Sequence, residues 1–185
     1  MPARRSRTPP PPEDPAVRMA RALQANDVAN SAFESAGIQV LRLVVRLEHP
    51  GDAPAEQDAE VLHRFLVFLN AAHALVTQTA GMAAAVFPMN PLAHFMEEFR
   101  TCMKHRAVPR LSLIRLAPPA PRLVALHMDV SEMPAWPHWS PAARRFLHQH
   151  QPALPLHSAL HDYQQAVRMF RQRAVRCLRA VMAEG

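Results

Sequence analysis

Arg168, Arg171, Arg176 and Arg179 fall on one side of the last apolar-periodic segment of the chain, residues 156–183, with His157 and His161 aligned along that side. The opposite arc holds Leu156, Leu160, Tyr163, Val167, Phe170, Ala174, Cys177, Leu178 and Val181. At about 100° per residue the segment reads as an amphipathic helix with a cationic stripe. Guanidinium groups are planar, permanently charged forks that match phosphate and carboxylate oxygens two at a time. A stripe of them suits a nucleic-acid backbone, an acidic lipid surface or an acidic partner. It equally suits a solvated face of an arginine-rich protein, which is the plainer reading.

Three other patterns carry metal-ligating types. His157 and His161 are four apart, as in helical zinc sites, but no Glu lies between them and the flanking arginines repel a cation. His94, Glu98, Cys102 and His105 share one narrow helical sector and are all permitted zinc ligands, although a solvated His/Glu face explains them as well. Glu60 and His63 form half of a carboxylate-bridged di-iron pattern, and no second copy exists. No metal or other cofactor is therefore expected. Trp136 and Trp139 flank His138, a group that can anchor a ligand but more often covers the end of a core.

Glycine argues against catalysis. Gly37, Gly51, Gly81 and Gly185 never cluster, so phosphate-cradling loops and nucleophile elbows lack their usual scaffold. The chain is expected not to be an enzyme. Helix-turn-helix, RNA-recognition and zinc-finger signatures are also missing, so nucleic-acid binding would rest on the arginine stripe, helped by Arg4, Arg5 and Arg7. Those three lie in residues 1–15, where a run of four prolines leaves too little apolar surface to offset the entropy of ordering. This stretch is expected to be a disordered Arg/Pro-rich tail. Arg5-Ser6-Arg7-Thr8-Pro9-Pro10 within it has the form of a phosphate-dependent adaptor site, with a basic solubilising tail as the plainer reading.

The elements that must position these residues form one domain, residues 16–185, in a chain of 185. Hydrophobic residues at 49% with only 6% aromatics favour helix packing over sheets. The expected fold class is mainly α, a helical-bundle-like domain with a small β-hairpin. A first helix covers residues 16–35 and ends near Gly37. Residues 38–47, IQVLRLVVRL, lean towards strand on their β-branched content, although Arg42 and Arg46 are four apart as on a helix. A long helix over 55–87 carries a broad apolar arc that includes Val61, Phe65, Leu69, Ala72 and Val86, with His63, Asn70 and Thr77 as a narrow polar line. Asn90-Pro91 starts a helix to about Arg106 whose inner face is Leu92, Phe95, Met96, Phe99 and Met103. LSLIRL and RLVALHMDV read as two strands joined by a proline-rich loop. Residues 133–141 form an irregular connection, Ser140-Pro141 opens a short helix, and the striped helix closes the chain.

Cys102 and Cys177 lie in separate helices without CxxC spacing, which suits free thiols in a reducing compartment. The basic N-terminus has no apolar stretch behind it, so no secretory signal is expected. Residues 65–96 contain no charge and are long enough to span a bilayer, but Asn70, His73, Thr77, Gln78, Thr79, Pro88 and Pro91 interrupt them. An intracellular protein of the cytoplasm or nucleus is expected, without a membrane partner. Twenty arginines against the single Lys104, with a net charge of +6, point to a GC-rich virus or bacterium. The functional expectation is a non-catalytic protein-interaction or assembly protein, its partner another protein or itself in a homo-oligomer. The alternative is sequence-independent nucleic-acid binding through the basic C-terminal helix.

Overall fold

In the computed structural model, which describes residues 14–48, 57–105, 109–115 and 124–184, the first helix runs unbroken as α1, Pro15–Glu48. The strand expected over residues 38–47 is its second half. Phe33, Gly37, Val40, Val44 and Leu47 are buried at a 4-3-4-3 spacing, which keeps them on one stripe of a helix. Burying Val40, Val44 and Leu47 is worth about 1.5–3 kcal/mol each, against a helix penalty of under about 0.7 kcal/mol for each β-branched residue. Packing therefore overrides local preference. Gly37 is not a helix end: a Cβ there would overlap the amide nitrogen of Gln164 on the closing helix α5, Leu156–Glu184. The glycine is what lets that side chain cross the α1 backbone.

The second helix, α2, spans Gln57–Ala83 and repeats the same spacing with Val61, Phe65, Phe68, Ala72, Leu75 and Thr79, all buried. It runs antiparallel to α1, as the hydrogen bonds Asn26 Nδ2 to Thr79 Oγ1 (2.8 Å) and Arg64 Nη1 to Gln39 Oε1 (2.9 Å) require. His63, Asn70 and Thr77 are all exposed, the narrow solvent window expected of them. The helix stops four residues short of the expected end because Ala84 turns into the left-handed region at φ 47°. Val86, expected on the buried arc, is consequently exposed. By length and composition α2 is apolar enough to cross a membrane. Here Phe65, Phe68, Leu69, Ala72 and Leu75 pack inside the chain.

Asn90 caps α3, Pro91–His105, by accepting the N–H of Ala93 at 2.8 Å. Phe95, Met96 and Phe99 point inward, with ring centroids of Phe95 within 5.3 Å of Phe99 and 5.1 Å of Phe146. The hairpin forms as expected from β1, Leu111–Arg115, and β2, Val124–Asp129, with Leu113 opposite Leu126. A third strand, β3, Ala153–Pro155, adds antiparallel to β2 with Leu154 opposite Met128. Three residues, the last of them Pro155 and preceded by Pro152, are too short to show alternation, so no sequence signal marks this strand. Between the strands lie a 3-10 turn, Met133–Ala135, and α4, Pro141–Gln149, whose N-cap is the Ser140 hydroxyl.

β3 leads directly into α5, whose buried Leu156, Leu160, Tyr163, Val167, Phe170 and Ala174 continue the 4-3-4 pattern. α5 is antiparallel to α1: His157 meets Glu48, Arg168 meets Glu34, and Arg171 meets Asp27. Among the described residues the main core takes nothing from α1 before Ala29 and nothing from α5 after Phe170. The outer ends of both helices therefore project past it.

Candidate functional site

The four arginines of the α5 stripe do not share one environment. Arg168 donates from Nε to Glu34 Oε1 at 2.7 Å and from Nη2 to Glu34 Oε2, a bidentate pair across the α1–α5 seam. This hydrogen bonding raises its pKa above the ordinary arginine value against the opposing effect of partial burial, with the Glu34 charge adding to it. Arg171, with only 16% of its side chain exposed, donates from Nε to Asn26 Oδ1 at 2.8 Å and from Nη2 to Asp27 Oδ1. Asn26 is itself buried and holds Thr79 on α2, so Arg171 is anchored in a polar seam shared by three helices. Its Nη1 donors have no partner among the described residues.

Arg176 and Arg179 are exposed and have no ion pair or hydrogen bond among the described residues. Together with Arg171, Asp27, Gln172 and Val175 they line a groove of about 350 Å³ between α1 and α5. Three of the four predicted arginines thus converge on one concavity, and Arg168 lies outside it. Arg4, Arg5 and Arg7 lie outside the described residues.

The metal patterns do not converge. Among the described residues no three His, Cys, Asp or Glu side chains gather at distances that could hold an ion. His157 Nδ1 faces Glu48 Oε2 at 3.5 Å, while His161 Nδ1 faces Asp162 at 3.4 Å. His94 approaches Glu98 at 3.8 Å, but the other Glu98 oxygen accepts the N–H of Ser140 at 2.8 Å. Cys102 is buried in the core, and the His105 side chain lies outside the described residues. Glu60 pairs with Arg64 at 2.7 Å rather than joining His63. Trp136 and Trp139 are buried edge to face at 4.7 Å, and Trp139 Nε1 donates to the Met133 carbonyl at 2.6 Å. They cover the end of the core, as expected.

A second cluster was not legible in the sequence because its members come from three helices. His73 Nδ1 donates to Glu97 Oε2 at 2.7 Å, and the buried Tyr163 hydroxyl donates to Glu97 Oε1 at 2.8 Å. Burial pushes the Tyr163 phenol well above its ordinary value, the Glu97 charge and hydrogen bond push it further, and Arg100 opposes them. Glu97 and Glu98 then border a cleft of about 600 Å³ with Thr101, Trp136 and His138. Both Glu97 oxygens are occupied by donors. The carboxylate is a fixed acceptor rather than a mobile base.

The exposed apolar residues form the other feature that periodicity alone did not locate. Val17 is 47% exposed on α1, and Val181 (69%) and Met182 (47%) on α5. Cys177, on the arc predicted to be buried, is exposed as well. Compared with protein-family models, curated proteins and solved structures, the chain matches none.

Proposed function

We propose that the chain is a non-catalytic interaction or assembly protein that receives a partner on the paired outer ends of α1 and α5. One observation carries this reading: residues 15–28 and 171–184 stay helical beyond the main core. Each end is about 20 Å long at the helical rise. Helix ends that extend past the main core, where Asn26, Ala174 and Val175 are buried but Val17, Val181 and Met182 face solvent, have apolar surface to bury against something else. Burying Val17, Val181, Met182 and the remainder of Leu178 is worth about 4 kcal/mol. Association costs about 4–15 kcal/mol, so the apolar ends need the neighbouring arginine groove to hold a complex.

The test compares wild type with Val181→Glu/Met182→Glu by light scattering over a wide concentration range and by capture of partners on the immobilised proteins. Both sites are exposed, so the variant keeps its fold. Self-association or a partner that wild type retains and the variant loses supports the reading. A monomer at all concentrations, with no partner distinguishing the two proteins, overturns it.

A second reading, sequence-independent nucleic-acid binding, draws on the convergence of Arg171, Arg176 and Arg179 in one groove. Fluorescence anisotropy with short labelled DNA and RNA at low and physiological salt tests it, and a steep salt slope would bring it forward.

A further inference from the structure

We infer that the groove between α1 and α5 receives a single phosphomonoester carried on a side chain of a protein partner; this rests on the reading of that end as a docking surface. The groove holds three guanidiniums and one carboxylate, which leaves two positive charges. A phosphomonoester at neutral pH carries about −1.5 to −2, so it neutralises the groove without excess of either sign. The three cations have different parts. Arg171 is fixed by Asn26 and Asp27 and offers its Nη1 donors at one wall without losing further side-chain entropy. Arg176 and Arg179 are three residues apart on one helical face, about 5–6 Å between Cβ atoms, close enough to chelate one tetrahedral anion. Val175 is nearly buried beneath them and lowers the local polarity, while the exposed Gln172 adds an amide donor at the rim.

The same geometry disfavours a nucleic-acid backbone as the ligand. A strand needs a row of open cations at successive phosphates. Along α5 the exposed Arg173 adds one more cation beside Arg176, but further along Arg168 is committed to Glu34 and His157 faces Glu48, so the row of open cations is short. A compact groove of about 350 Å³ with two open arginines fits one anionic group better than a track.

The full chain is titrated with O-phosphoserine and with inorganic phosphate, reading the arginine side-chain nitrogen resonances by NMR. Unphosphorylated serine and a short single-stranded DNA serve as comparisons. The expected result is saturable binding of O-phosphoserine that shifts Arg176 and Arg179 and weakens about tenfold or more in Arg176→Ala/Arg179→Ala. Affinity should also rise with pH through about 6, where the second phosphate proton leaves. No saturable shift, binding unchanged in the double variant, or tighter binding of DNA with release of several counterions overturns the proposal, the last in favour of nucleic acid. The two proposals fail separately. Val181→Glu/Met182→Glu removes the apolar contact and leaves phosphate binding intact, whereas Arg176→Ala/Arg179→Ala weakens phosphate binding in an isolated chain that needs no partner.

Discussion

Arg168 on α5 sets two of its guanidinium nitrogens against both carboxylate oxygens of Glu34 on α1, and the Gln164 amide one turn earlier donates to the same carboxylate at 3.3 Å. Three polar groups from two helices therefore meet at one point of the seam, partly screened from water. Lysine cannot reproduce the two parallel bonds. Arg168→Lys should lower stability by about 1 kcal/mol in urea unfolding. Glu34→Gln should cost a similar amount, and the double variant little more than either alone, because the two changes remove one shared interaction.

Gly37 and Gln164 are coupled in the same place. Alanine at 37 gains about 1 kcal/mol of helix propensity, but its Cβ would also lie 3.0 Å from Gln164 Cδ and displace a nearly buried amide. Losing that amide's bonds costs about 1–3 kcal/mol. Gly37→Ala should therefore destabilise the wild type, yet stabilise a Gln164→Ser background. Equal effects in both backgrounds would show that the crossing is looser than described.

Tyr163 is the one tyrosine of the chain, so its ionisation can be followed by phenolate absorbance without interference. Its folded pKa lies well above the ordinary value, for which burial is the main cause. A phenol raised in the fold supports stability in full below its unfolded pKa of about 10 and loses that support as pH climbs from there towards the folded value. Phenolate should appear only together with alkaline unfolding. Tyr163→Phe should cost about 1–2 kcal/mol near neutral pH, by leaving Glu97 short of a donor, and should flatten the alkaline decline.

Ala84 sits at φ 47°, where an L side chain is strained. Glycine relieves about 1–2 kcal/mol of that strain and gives back about 0.5–1 kcal/mol in unfolded-chain entropy. Ala84→Gly should raise the unfolding midpoint slightly, and a lowered midpoint would count against the strained turn.

The sequence was informative wherever one helix carried its own pattern. The inner face of α3, that of α5 as far as Ala174, the Asn90 and Ser140 caps, the hairpin and the solvent line of His63, Asn70 and Thr77 all rest on neighbours close in the chain. It misled where a residue's role was set across elements. Gly37 read as a helix end although its partner is Gln164, more than a hundred residues away. The heptad spacing from Phe33 to Leu47 was present in the text but was divided at that glycine. The stripe arginines showed the same limit: periodicity placed them on one face, but only the fold assigns Glu34 to Arg168 and Asp27 to Arg171. The cluster of His73, Glu97 and Tyr163 had no linear signature at all, since three helices supply it.

The antiparallel course of α1 and α5 has a practical consequence for anyone handling this protein. Residues 15 and 184 emerge at the same pole, beside Val17, Val181 and the groove of Arg176 and Arg179. An affinity handle or fluorescent fusion joined directly to residue 15 or residue 184 would therefore crowd the surface whose partners it is meant to reveal. β2 meets the other end of α1, where the Leu126 N–H donates to Glu48 at 3.0 Å, so screens run with a reporter carried at that end and with one joined at residue 15 or 184 should return different interactors.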